Sequence, residues 1–273
     1  MTTLMFKQPG GQIAYDDTGA GPLVICAPSL GDVRAEYRFL APQLVAAGYR
    51  VVTLDLRGLG ESSTGWDDYS VAGVGADLLA LSRQLDAGPA VVVGTSMAAG
   101  AAVWAAAEAP DAVAGLVLIG PFVRGATSSL NAALYSLLFA QPWGAAAWGW
   151  YYGTLYPTAK PADFVAYVAA LRANLREPNR LAALRQMLFA AKAASEARLD
   201  QVKAPVHVIM GAKDPDFKDP TAEANWVAAR LGGQLTLIPD AGHYPHAEMP
   251  ATTGPVILDF LAAHHPARTM SHV

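Results

Sequence analysis

Short apolar runs alternate along this chain with longer segments whose apolar positions recur at helical spacing. The runs fall at residues 4–7, 12–16, 23–27, 50–55, 90–94, 115–119, 206–211 and 234–239. The inner ones, such as Leu23-Val24-Ile25-Cys26-Ala27, are continuous in Val, Ile and Leu and do not alternate with polar residues. Continuous runs suit parallel strands covered on both faces. Helical patterning occupies 36–47, 71–85, 97–109, 222–231 and 253–263. Strands and helices in this order predict an α/β fold with a doubly wound, mostly parallel sheet of eight strands. Pro9-Gly10-Gly11 lies between the first two runs and predicts a hairpin at the sheet edge.

The alternation breaks once, between 119 and 206. Connections within a sheet are usually only a few residues long. Residues 123–200 are therefore expected to form an inserted helical cap, with residues 1–122 and 201–273 forming the core domain. The insert carries the aromatic run PWGAAAWGWYYGTLYP, and its later part (163–175 and 179–199) alternates Ala and Leu with Arg and Lys at helical spacing. No charged residue or histidine occurs between Arg124 and Lys160, a length that reaches the ~20 residues of a membrane span. Ser128, Ser129, Asn131, Gln141, Pro142, Gly144, Gly149 and Gly153 interrupt it. It reads as a buried or substrate-facing cover, and no stable membrane span is expected.

Composition narrows the function classes. Of 273 residues, 53% are hydrophobic, which supports a large buried core and excludes disorder. The net charge is −4, without a dense Lys/Arg run, which argues against a nucleic-acid partner. Cys26 is the only cysteine, so neither an intramolecular disulfide nor a Cys-based zinc site can form. Its apolar surroundings predict a buried small hydrophobe. The start MTTLMFKQPGGQ lacks the charged-then-apolar pattern of a secretory signal, and a cytoplasmic location is expected.

The stretch VVVGTSMAAG, residues 91–100, reads as a strand, a sharp turn and a helix. Ser96 is either a nucleophile at a strained elbow or a serine in a small-residue turn. In such an elbow the nucleophile's oxygen is pushed up from the sheet, and positions two residues to either side must be small. Gly94 meets this need, and Ala98 departs from the usual glycine by one methyl. The helix that follows would aim free N–H groups and a partial positive charge at the site. Asp214 stands just past the run 206–211, and His243 just past 234–239. In open α/β sheets ligands bind beyond the carboxyl ends of the strands. The three residues together allow proton transfer from Ser96 to His243, with Asp214 fixing the imidazole tautomer.

The stretches LDLRGLGESS, GTSMA, GAKD and GHYPHAEMP, in this order, resemble the α/β-hydrolase fold family over nearly the whole chain. The resemblance implies a catalytic set of Ser96, Asp214 and His243, in the family's chain order. Asp216 and Asp219 are alternatives for the acid by a loop shift. Some members carry the acid after the sixth strand, where this chain has Gly120-Pro121-Phe122 and no carboxylate. The family's oxyanion hole uses the N–H of the residue after the nucleophile, here Met97, and one from the loop after the third strand. That loop often contains His-Gly. Here APSLGD places Pro28 and Ser29 on those positions and Leu30 on the donor, with Ser29 as the alternate. The loop with Asp55, Arg57, Gly58 and Gly60 reads as structural, as do Glu248 and Pro250. His246 is expected to pack locally, His207 to be a satisfied core histidine, and His264, His265 and His272 to lie on the surface or tail.

The aromatic residues of the insert read either as its own core or a dimer contact, or as a pocket roof. For the roof, the substrate-binding candidates are Phe122, Phe139, Trp143, Trp148 and Tyr152. The chain is thus expected to be a cofactor-free serine hydrolase, an esterase or lactonase acting on a small apolar ester-like substrate, as a monomer or homodimer. A C–C bond hydrolase, a perhydrolase or an acyltransferase would use the same three residues. Epoxide hydrolases and haloalkane dehalogenases of this fold carry aspartate at the elbow, and Ser96 argues against both. The reading from another class is a ligand receptor on a hydrolase scaffold. No metal, nucleotide or flavin signature is present, so no cofactor is expected.

Overall fold

The computed structural model describes residues 3–125 and 129–267. Eight strands form one sheet in the order β1-β2-β4-β3-β5-β6-β7-β8. They are β1 (Leu4–Gln8), β2 (Gly11–Thr18), β3 (Leu23–Ala27), β4 (Arg50–Leu54), β5 (Ala90–Thr95), β6 (Val113–Ile119), β7 (Val206–Gly211) and β8 (Gln234–Ile238). β1 and β2 form the expected edge hairpin, and β2 also runs antiparallel to β4. All the remaining neighbours are parallel.

The helices in chain order are α1 (Ala41–Ala46), α2 (Val71–Leu85), α3 (Met97–Glu108), α4 (Ser129–Leu138), α5 (Gly144–Thr154), α6 (Phe164–Arg176), α7 (Arg180–Phe189), α8 (Ala193–Glu196), α9 (Pro220–Leu231), α10 (Pro245–Glu248) and α11 (Pro250–His264). Both sheet faces are covered. Ile25, Val92, Leu116 and Leu118 pack with α2 and α3, while Val24, Cys26, Val91 and Val93 pack with Leu44 of α1 and Ile257 and Phe260 of α11. Successive strand residues point to opposite faces, so two covered faces make the unbroken apolar runs necessary. Cys26 is fully buried, as its run implies.

Three helix expectations need correction. The segment 36–47 divides into a 3-10 turn, Arg34–Tyr37, and α1. Pro42 fits only a first helical turn, since its ring disfavours helical backbone before it and it has no N–H to donate. Tyr37 is drawn inward, where its hydroxyl donates to the Ala27 carbonyl at 2.8 Å. The segment 179–199 breaks at Ala190 (φ −61°, ψ 130°) into α7 and α8. Packing decides that break: Ser195 of α8 is buried and donates to the Gly100 carbonyl at 2.9 Å. The last helix starts at Pro250, ahead of the expected 253, again with proline in the first turn.

Helices α4 to α8 lie between β6 and β7 in the chain, where the long interruption predicted helices. The uncharged segment folds into two short helices, α4 and α5. Among the described residues no helix is long and apolar enough to cross a membrane. His272 and Ser128 lie outside the described residues.

Candidate active site

Ser96 sits between β5 and α3 with φ 58° and ψ −118°, in the positive-φ region that a residue with a side chain rarely adopts. Its own backbone is held firmly. The N–H donates to the Ile119 carbonyl at 2.8 Å, and the carbonyl accepts from the N–H of Ala99 and of Phe122, each at 3.1 Å. A Cβ on Gly94 would stand 2.7 Å from the Ala98 carbonyl oxygen, so glycine is required there. Ala98, by contrast, is fully buried in the core and its methyl is accommodated.

β7 and β8 carry the acid and the histidine to the same strand ends. His243 Nδ1 lies 2.6 Å from Asp214 Oδ2, and both side chains are buried. The other Asp214 oxygen accepts from the Asp216 N–H at 3.0 Å. Gly120 (φ 50°) leaves room for the ring: a Cβ there would come within 3.0 Å of His243 Nδ1. Burial opposes charge on the imidazole, but Asp214 first and Asp216 second outweigh it, and the His243 pKa is drawn up to about 9. Asp216 Oδ2 is 3.8 Å from His243 Nε2, and its Oδ1 accepts a short hydrogen bond from Tyr151. Burial, then Asp214, raises the Asp216 pKa. Asp219 lies apart, capping α9 through the Ala222 N–H at 2.9 Å.

Glu248 ties this loop to the inserted helices. Oε2 accepts from the Gly242 N–H at 2.6 Å, and Oε1 accepts from Thr158 and Ala159 at 2.9 and 2.8 Å. The His243 N–H donates to the Leu155 carbonyl at 3.0 Å. The loop of Asp55 and Arg57 is held by its own ion pairs, Arg34 with Asp55 and Arg57 with Asp77.

Leu30 and Met97 line the same cavity as Ser96. Met97 opens α3, so its N–H has no carbonyl one helical turn back. The Leu30 N–H has no partner among the described residues. The Ser29 N–H is taken: it donates to Glu36 Oε2 at 2.7 Å. This removes Ser29 as an alternate donor, while its hydroxyl meets Tyr244 Oη at 2.5 Å. Asp32 and Glu36 hold this loop, a role that two carboxylates just past a strand do not announce in sequence. Asp32 accepts from Tyr152 at 2.7 Å and from Tyr167, and burial, then Glu36, raises its pKa to about 8 against those bonds. His246 packs locally, stacked on Tyr37 with Nε2 3.1 Å from Glu36 Oε1. His207 is a core histidine that is only half satisfied: Nε2 pairs with Thr236 Oγ1 at 2.8 Å, while the buried Nδ1 has no hydrogen-bond partner among the described residues.

Ser96, which is 5% exposed, opens with His243 onto a cavity of about 380 Å³. Phe122, Phe139 and Trp148 line it, with Leu30, Met97, Ser29 and Tyr244. Trp143 and Tyr152 do not. Trp143 is 50% exposed and Nε1 donates to the Leu137 carbonyl. Tyr152 is buried among Tyr156, Tyr167 and Tyr244. Tyr151 and Tyr135 take the wall positions, and Arg124, Lys192 and Asp216 bring charge to a cavity expected to be apolar.

Asp214, Asp216 and His243 offer three metal-type donor atoms within 4.8 Å of one another. Of the two ring nitrogens, His243 Nδ1 is already bonded to Asp214 Oδ2 at 2.6 Å.

A strained serine beneath a helix N-terminus and a histidine–carboxylate pair at parallel strand ends define a hydrolase-type scaffold. A profile of the alpha/beta hydrolase fold matches residues 22–250, and the chain belongs to that family. A Mycobacterium tuberculosis protein named as a non-heme bromoperoxidase, BpoC, is 30% identical over 273 residues, covering 92% of this chain and 98% of BpoC. A rice (Oryza sativa) protein named as an esterase is 27% identical over 258 residues, covering 88% of this chain and 91% of its own. The crystal structure of a bromoperoxidase from Bacillus anthracis superposes with a TM-score of 0.83 at 21% identity, covering 95% of this chain and 99% of that one. That last likeness is one of fold.

Proposed function

We propose that the protein is a cofactor-free serine hydrolase that cleaves a small carboxylic ester or lactone through an acyl-enzyme. The observation that carries this reading is that Leu30 and Met97, whose N–H groups have no partner among the described residues, line the same cavity as strained Ser96 and the His243–Asp214 pair. Ser96 Oγ attacks the carbonyl carbon while His243 Nε2 takes the hydroxyl proton. The oxyanion is held by the N–H groups of Leu30 and Met97, donors whose individual removal costs ~10²–10³ in turnover in comparable sites. His243 returns the proton to the departing alcohol oxygen. A water then gives its proton to His243, its oxygen attacks the acyl carbon, and Ser96 regains the proton as the acid leaves. Asp214 holds Nδ1 protonated throughout. Residues 1–122 and 201–273 supply this chemistry, and residues 123–200 cover it.

Perhydrolysis is the second reading, favoured by the name of BpoC. Hydrogen peroxide would take the place of water at the acyl-enzyme, giving a peracid and free Ser96.

The test is covalent. Diethyl p-nitrophenyl phosphate should release one equivalent of p-nitrophenol and leave one diethylphosphoryl group on the Ser96 peptide, seen by mass spectrometry. The reading fails if the same stoichiometric label appears in Ser96→Ala, or if the wild type takes none.

A further inference from the structure

The electrostatics of the cavity do not balance. Lys192 lines it and is only 8% exposed. Its ammonium has three N–H donors, and among the described residues its partner is one neutral group, the Ala190 carbonyl, at 2.8 Å. Among the described residues no carboxylate lies within ion-pair distance of it. The other charges at the cavity are matched. Arg124 is held by both Glu223 oxygens, at 3.0 and 2.6 Å, and lies 3.6 Å over the Trp226 ring. Asp216 faces Tyr151 and His243. Glu196, one turn after Lys192, accepts from the Gly125 N–H at 3.4 Å and is not in the wall.

A buried ammonium without a counter-charge is costly, and an apolar side chain of the same length would relieve it. Burial works against the charge here and lowers the Lys192 pKa. A ligand that brings the missing anion removes the penalty and adds charge-assisted hydrogen bonds. Apart from the paired Arg124 and Asp216 and the Ser29 hydroxyl, the wall is mostly apolar or aromatic, with Phe139, Leu138, Leu188 and Tyr135, so the ligand has an apolar body and two polar ends. One end meets Ser96 with the Leu30 and Met97 amides, and the other meets Lys192. A single cation without a nest of amides matches a monoanion better than a phosphate dianion.

We propose that Lys192 is the anion-binding end of the substrate cavity, and that the preferred ester carries a carboxylate. This rests on the hydrolase reading for the word ester, but the binding it asserts does not.

The experiment uses two matched pairs of esters. One pair is mono-p-nitrophenyl glutarate and p-nitrophenyl pentanoate, with the carboxylate on the acyl side. The other is 4-acetoxybenzoate and 4-methylphenyl acetate, with the carboxylate on the alcohol side. In at least one pair the wild type should favour the anionic ester in kcat/KM by about ten-fold or more. Lys192→Met should bring that ratio to one or below, and Lys192→Arg should restore most of it. A neutral preference in both pairs overturns the proposal, as does an unchanged ratio in Lys192→Met. Calorimetric titration with glutarate separates the two readings if no ester is turned over. Binding by the wild type and Ser96→Ala but not by Lys192→Met upholds the subsite while the esterase reading fails. Equal binding by all three, or by none, overturns the subsite.

Discussion

The backbone N–H of Ser29 donates a 2.7 Å hydrogen bond to the buried carboxylate of Glu36, while the next N–H, that of the cavity-lining Leu30, has no partner among the described residues. On the proposed mechanism, Glu36 thereby sets the direction of the oxyanion donor without touching substrate. Glu36→Ala leaves the Ser29 amide without its acceptor, a buried defect of about 1–3 kcal/mol, and lets the loop turn. We expect kcat to fall ~10–100-fold with KM changed by less than about three-fold, because the lost contact acts in the transition state. Glu36→Gln keeps an acceptor oxygen and should recover most of the rate. Steady-state kinetics on a p-nitrophenyl ester check this. A raised KM at unchanged kcat would place the loop in ground-state binding instead.

Replacing Asp214 by Asn should cost ~10³–10⁴ in kcat, because the amide presents the wrong partner to His243 Nδ1 and favours the wrong tautomer. Circular dichroism should show the variant folded. A loss of less than ten-fold would send the assignment to Asp216.

His243 accepts a proton only when neutral, so kcat/KM should climb with pH through the raised imidazole pKa, drawn up to about 9. Asp216 is the second carboxylate holding it up, and Asp216→Asn should move the midpoint down. Stability runs the other way. The group's folded pKa lies above its usual 6.5, so its contribution is full below about 6.5 and is lost as pH rises through about 9. Profiles of kcat/KM against pH with one midpoint for both proteins would remove Asp216 from this role.

The two flanks of the serine should respond unequally. Gly94→Ala drives a methyl to 2.7 Å from the Ala98 carbonyl oxygen, and overpacking of this kind costs ~1–3 kcal/mol. Ala98→Gly restores the family's usual residue, costs about 1 kcal/mol in helix propensity, and should retain turnover within a few-fold. Thermal melts and ester kinetics on both variants decide this. Equal tolerance would mean that the elbow is looser than its geometry indicates.

The sheet and the three strand-end residues were legible because each depends on local signals. Continuous apolar runs mark strands with two covered faces, and Ser96, Asp214 and His243 each follow one by a few residues. The cavity walls were not legible. The helix α5 carries aromatics on several faces, and neighbouring residues on a helix point about 100° apart. Tyr151 thus faces the cavity and Tyr152 the tyrosine cluster, although nothing in the run WGWYYG separates them. Lys192 belongs to a segment that alternates Ala and Leu with Arg and Lys at helical spacing, a pattern that does not say which of its charges is buried. It is buried because α7 stops at Ala190, a break imposed by packing on α3. Glu36 opens a segment of helical patterning, and nothing in that pattern marks its carboxylate as turned inward.

The central claim is that Ser96 is the nucleophile. Its most direct measurement is steady-state hydrolysis of p-nitrophenyl esters from acetate to decanoate by the wild type and by Ser96→Ala. The account predicts many turnovers per molecule in the wild type, best with short acyl chains that fit a cavity of about 380 Å³, and a loss of at least ~10³ in Ser96→Ala. Equal rates in the two proteins would contradict it.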